Sequence, residues 1–268
     1  MGKNSDKENT HVYDVGLKPK EVKFGKNYKL YKKGFWFNTG NKLFLLLDSF
    51  LAFFFKIFVY GWRVTGRNNI KEIRSCVLLC NHVFPLDIII ILTTFFPKFL
   101  YVTVLQSNLG LGFISVLIRL LGGVPIPKEP FWFIRFSDET TDIINKGGNI
   151  VFYPEASLVP YCDHIRPLLP GAFSFAYDST KKIIPTVITF HKPKGFYKIV
   201  RRGKPCIHYH ILRPYEIKDL GDKKQSVEKA RAEVQKIMSD FFIKHSDYYY
   251  DKNGNRNSTP MPHNRFVK

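Results

Sequence analysis

The chain has 268 residues, enough for one domain with a full core and some appendages. Apolar residues make up 45% and aromatics 16%, which excludes a mostly disordered protein. Lys and Arg total 41 against 22 acidic residues, a formal charge of +19, so an anionic partner is expected: nucleic acid, anionic lipid headgroups or phosphorylated substrates.

Residues 1–40 are polar and lysine-rich and show no cleavable signal pattern. They read as a mobile basic arm that becomes ordered towards an aromatic cluster ending at Trp36 and Phe37. The four cysteines lack C-x-x-C spacing, so free thiols in a reducing cytosolic setting are expected. Residues 41–62 are the most apolar part of the chain, but Asp48 and Lys56 interrupt them. At helical spacing Asp48, Ala52 and Lys56 form one narrow, less apolar stripe, and Tyr60, Trp62 and Arg63 follow as at a membrane interface. A helix lying in one leaflet is the first expectation, with a true span or a buried core helix as alternatives.

From residue 63 to 246, strand-like and helix-like stretches alternate. Arg63 to Ile70 is a short strand into a turn, Val77 to Cys80 a buried strand, and Asp87 to Phe96 a helix stopped by Pro97. Phe99 to Val104 is a strand, Leu109 to Leu121 an apolar helix, Trp132 to Lys146 an amphipathic helix and Asn149 to Tyr153 a strand. Lys182 to Phe190 and Cys206 to Leu212 are strands joined by a basic loop, and a last amphipathic helix starts at Ser226. The pattern predicts an α/β domain, a mixed sheet flanked by helices, with its site at strand carboxyl ends. Residues 247–268 read as a disordered tail.

The chemistry centres on the break between two apolar runs, at Asn81-His82, with Asp87 five residues after the histidine. Pro85 suits the first position of a helix and Asp87 its first turn. An imidazole at a strand's carboxyl end can take a proton from a hydroxyl, while a fixed aspartate holds the ring's tautomer. The plainer alternative is that His82 ends a strand and Asp87 caps a helix. No G-x-S-x-G elbow is present, so a serine nucleophile has little support.

Further motifs follow in order: Gly122-Gly123-Val124-Pro125-Ile126-Pro127-Lys128, Phe152-Tyr153-Pro154-Glu155-Ala156-Ser157 and Ile183-Ile184-Pro185-Thr186-Val187. Together with Asn81-His82-x4-Asp87 they resemble the four blocks of the glycerolipid acyltransferases, the lysophosphatidic acid acyltransferase family. The resemblance covers about residues 60–215. It implies that His82 is the general base and Asp87 its orienting partner, with the acceptor hydroxyl attacking an acyl thioester directly. It also implies substrate contacts by Asn81, Lys128, Glu155 and Ser157. The co-substrate would be acyl-CoA or acyl carrier protein, with no cofactor and no metal. The acceptor would be a lysophospholipid, first of all 1-acylglycerol 3-phosphate, at the cytoplasmic face of a membrane. Where the family has Gly-Thr-Arg, this chain has Ala156-Ser157-Leu158, which removes a guanidinium expected at phosphate. Arg166 is a candidate substitute, or else a surface charge.

Other signals are thinner. Cys206, His208 and His210 alternate along a strand and so share a face, but no fourth metal ligand is visible, and a mixed sheet face is the expectation. Cys162 and His164 are too close in sequence to suggest a catalytic pair. A basic nucleic-acid-binding module fits the charge, yet no RNP, KH or zinc-finger pattern appears, so no nucleic-acid partner is expected.

Overall fold

The computed structural model describes residues 20–32, 39–40, 43, 46, 54, 61–71, 73–84 and 86–249. The expectations for the first 19 residues, for a continuous apolar helix over 41–62, for Pro85 and for the tail beyond 249 lie outside the described residues. Among the described residues no helix is long and apolar enough to cross a membrane.

One eight-stranded mixed sheet carries the fold. Its strands are β1 (Arg63–Thr65), β2 (Cys76–Cys80), β3 (Leu100–Leu105), β4 (Gly123–Ile126), β5 (Asn149–Phe152), β6 (Lys182–His191), β7 (Cys206–Ile211) and β8 (Tyr215–Glu216). The order is β1-β7-β6-β2-β5-β3-β4, with β8 also paired to β6. Strands β2 to β6 are parallel to one another, while β7 and β8 run antiparallel to β6, and β1 is parallel to β7. The central β2 is buried along its whole length, as its unbroken apolar run requires. Pro185 stands in β6 where its partner changes from β8 to β7, a place where a missing N–H breaks little.

The helices are α1 (Asp87–Phe95), α2 (Phe113–Leu120), α3 (Pro130–Asn145), α4 (Gly171–Tyr177), α5 (Phe196–Arg201) and α6 (Lys223–His245). Pro130 opens α3 at the position where its missing N–H costs nothing, and Asp222 caps α6 by accepting from the Gln225 N–H. The loop expected between β6 and β7 contains α5, whose Phe196 and Ile199 are exposed.

Residues 20–32 are a correction to the mobile arm expected there. Leu30 and Tyr31 enter the core, the Tyr31 hydroxyl lies 2.6 Å from Thr140 Oγ1, and Phe24 and Tyr28 pack around Trp132. Arg119, buried in α2, donates to the carbonyls of Leu30 and Lys29 at 2.7 and 2.8 Å. The end of the domain differs likewise, because Asp247 donates its N–H to the Phe190 carbonyl and Tyr248 is buried.

Candidate active site

The carboxyl ends of β2, β3, β4 and β5 lie along one edge of the sheet, because these strands are parallel. Neighbouring ends are about 4.8 Å apart, so the end of β4 stands roughly 14 Å from that of β2. His82 leaves β2 at this edge, with its side chain 24% exposed. Asp87 begins α1 and is buried. Its Oδ2 is 2.6 Å from His82 Nδ1, and its Oδ1 accepts from the Tyr153 hydroxyl at 2.8 Å. The Tyr153 ring stacks on His82 with centroids 4.1 Å apart. Burial, and then the neighbouring Asp87 carboxylate, push the Tyr153 phenol well above its ordinary value, so it stays a neutral donor.

The His82 ring is thus held on one nitrogen and one face. Its Nε2 has no hydrogen-bond partner among the described residues, and the side chain remains partly open to solvent. Such an arrangement suits a base whose tautomer is set by a carboxylate, with the other nitrogen free to accept a proton from a hydroxyl. The His82 backbone is fixed as well: its N–H donates to Glu155 Oε2 at 3.2 Å, and its carbonyl accepts from the Val159 N–H at 3.1 Å.

Four residues that the resemblance or the sequence placed against the substrate are buried and bonded to the protein. Asn81 donates to the Ile188 carbonyl at 3.1 Å and accepts the Ile188 N–H at 2.8 Å, extending the pairing of β2 with β6. Glu155 is 1% exposed, and Arg166 is 5% exposed rather than a surface charge. Arg166 Nη2 meets Glu155 Oε2 at 2.8 Å, while the Arg166 N–H donates to Oε1 at 3.1 Å. Arg166 also donates through Nη1 to Ser157 Oγ at 2.7 Å and through Nη2 to the Ser157 carbonyl. Its Nε is buried without a hydrogen-bond partner. The guanidinium is therefore spent on the turn that carries Glu155, and neither it nor the carboxylate is presented as an open ligand.

Lys128, beyond β4, is exposed on the same sheet edge, and its backbone N–H is tied to Gln106 Oε1 at 2.9 Å. Ala156 adopts a left-handed φ of 61°, a conformation that favours glycine. No sequence signal singles out Tyr153, although it lies two residues before Glu155 and directly after β5. A cleft lined by Lys71, Arg74, Lys98 and Asn149 lies at the opposite, amino edge of β2, β3 and β5, away from His82.

Residues 61–189 match the family model described as Acyltransferase. Among solved structures, the chain is similar to the crystal structure of the 1-acyl-sn-glycerophosphate (LPA) acyltransferase PlsC from Thermotoga maritima, with 18% identity and a TM-score of 0.54. That likeness is one of fold, over 76% of this chain and 79% of the other. No curated protein matches the chain. The family span contains His82, Asp87, Lys128, Tyr153, Glu155 and Arg166 and ends before β7.

Proposed function

Through residues 61–189 the chain belongs to the acyltransferase family, and on that premise we propose that it moves a fatty acyl group from a thioester to the free hydroxyl of a lysophospholipid. The observation that carries this reading is the His82–Asp87 pair, with Nδ1 engaged at 2.6 Å and Nε2 left for the acceptor. In this reading Nε2 takes the hydroxyl proton as the oxygen attacks the thioester carbonyl. Asp87 stabilises the imidazolium that forms. The carbon–sulfur bond then breaks, an ester remains, and the departing thiolate takes the proton back from His82. No residue carries the acyl group. The donor is acyl-CoA or acyl carrier protein.

The acceptor proposed first is 1-acylglycerol 3-phosphate, giving phosphatidic acid. Lys128 is an exposed cation on the site edge that could meet its phosphate as a point charge. Leu158 and the committed guanidinium of Arg166 favour a second reading, a lyso-lipid without a terminal phosphomonoester, because no open arginine fork faces the site from either position.

A membrane surface as the working place is supported by exposed apolar side chains at the starts of α2 and α3: Phe113, Ile114 and Val116, then Phe131, Phe133 and Ile134. Both helices begin after strands that end at the His82 edge, so this apolar rim lies towards the same edge of the sheet as the site. The net charge of +19 would add attraction to anionic headgroups at the cytoplasmic face.

The test is a transfer assay on purified protein in mixed micelles, with a labelled acyl thioester, a panel of acceptors and His82→Ala as the blank. The panel holds glycerol 3-phosphate, lysophosphatidic acid, lysophosphatidylcholine and uncharged lyso-lipids. Transfer confined to lysophosphatidic acid supports the first acceptor. Transfer confined to the others moves the substrate and keeps the chemistry, and equal transfer by His82→Ala overturns the mechanism.

A further inference from the structure

A second cluster of titratable side chains lies outside the acyl-transfer chemistry. Along β7, Cys206, His208 and His210 share one face, and the antiparallel register sets His191 opposite Cys206 and Thr189 opposite His208. Strand β1 adds Thr65 beside His210. Ring nitrogens of His191, His208 and His210 lie within 4.8 Å of one another, and the His191 and His208 rings stack at 3.7 Å. The third imidazole thus comes from β6, a neighbour that no spacing along β7 could reveal, and Cys206 falls outside the group.

The orientation of the rings is the informative part. Thr189 Oγ1 is 2.9 Å from His191 Nε2 and 2.8 Å from His210 Nε2, so two ring nitrogens converge on one point. On their outer sides, His210 Nδ1 is 2.7 Å from Thr65 Oγ1 and His191 Nδ1 is 3.7 Å from an Asp247 carboxylate oxygen. An imidazole that binds a metal divides its nitrogens in this way, one to the ion and the other to an oxygen that fixes the tautomer. Arg63 and Lys194 add positive charge nearby and Asp247 offsets part of it. His245 of α6 faces His210 with ring centroids 6.0 Å apart.

We infer that His191, His208 and His210 bind a divalent late transition ion, of which Zn(II) suits a three-imidazole set best, with the Thr189 hydroxyl or a water as the fourth ligand. The ion would tie β6 to β7 next to the end of α6, which carries His245 and leads into Asp247. It takes no part in acyl transfer.

The experiment strips the full-length protein with a chelator, dialyses it against Zn(II) and counts retained metal, with Co(II) substitution to read the ligand field. The expected result is one ion per chain, a tetrahedral Co(II) absorption spectrum and a raised Tm, all lost in His191→Gln and in His208→Gln. His164→Gln, at the separate Cys162-Asp163-His164 group, should retain all three. His191 and His208 are both only partly buried, unlike His210, so the two variants read the site with little risk to folding. Wild-type protein that retains no ion holds a proton-only network there, and the inference fails. It fails equally if His191→Gln retains the ion as well as wild type does, or if only His164→Gln loses it.

Discussion

Arg166 Nη2 sits 2.8 Å from Glu155 Oε2 in a buried pair, and the same carboxylate oxygen takes the His82 N–H at 3.2 Å. The pair therefore positions the proposed base through its backbone. Replacing Arg166 with Leu would leave a buried carboxylate without its cation, which costs on the order of 3–5 kcal/mol. A large fall in Tm is expected, with activity reduced for every acceptor alike, and partial recovery of Tm in the Glu155→Gln/Arg166→Met double variant. If Arg166 were instead a phosphate ligand, Arg166→Lys would raise KM for phosphorylated acceptors alone and leave Tm unchanged.

His82→Ala removes the proton acceptor and should lower the transfer rate by roughly 10²–10⁴-fold with little change in Tm, because the side chain is partly exposed. Asp87→Asn keeps the shape but offers Nδ1 the wrong partner or the wrong tautomer, so a loss of similar order is expected. Single-turnover transfer on both variants, beside thermal melts, separates chemistry from folding.

The contact between His82 and Asp87 was legible because they are five residues apart and one short loop joins a strand end to a helix start. The α/β alternation was legible for the same local reason, through apolar runs and Gly or Pro breaks. What was not legible depends on contacts across the sheet. Asn81 looked like a substrate ligand until β6 placed the Ile188 backbone against both ends of its side chain. Arg166 looked like a substitute phosphate ligand or else a surface charge, because the ten residues between it and Glu155 carry no periodicity that would show the two side chains pairing. Residues 20–32 looked mobile because their lysines hide two core residues, Leu30 and Tyr31, and because the carbonyls that dock them are bonded by Arg119 from a distant helix.

Ala156 holds φ at 61° in the turn between Tyr153 and Ser157, where a Cβ crowds the backbone. Its N–H donates to the Tyr153 carbonyl at 3.0 Å, so the turn itself is well formed. Ala156→Gly should therefore stabilise the fold by up to about 1 kcal/mol, since relief of that strain exceeds the added freedom of the unfolded chain. A rise in the chemical denaturation midpoint with an unchanged m-value would show it. A fall would mean that the turn does not impose this conformation.

Arg119 is a buried cation whose donors meet the Leu30, Lys29 and Gly123 carbonyls. Arg119→Leu leaves those carbonyls unpaired, and the buried ones cost on the order of 1–3 kcal/mol each. The loss should appear first as release of residues 20–32. Faster limited proteolysis in that segment, before any global unfolding, is the expected readout. Unchanged cleavage would mean that Leu30 and Tyr31 hold the segment without the guanidinium.

His164 is raised from 6.5 to about 10, chiefly by its hydrogen bond to Asp163 and then by that to Cys162. In the unfolded chain it titrates near 6.5. Below that pH both states are protonated, and the stabilisation from holding the proton in the fold is fully present. As the pH rises from 6.5 the unfolded state gives up its proton first, so this contribution shrinks and is gone above about 10. The imidazole is 39% exposed, so solvent screening keeps the effect small. Thermal melts across that window should fall more steeply for wild type than for His164→Gln. Parallel curves would show that the Asp163–His164 contact does not persist in solution.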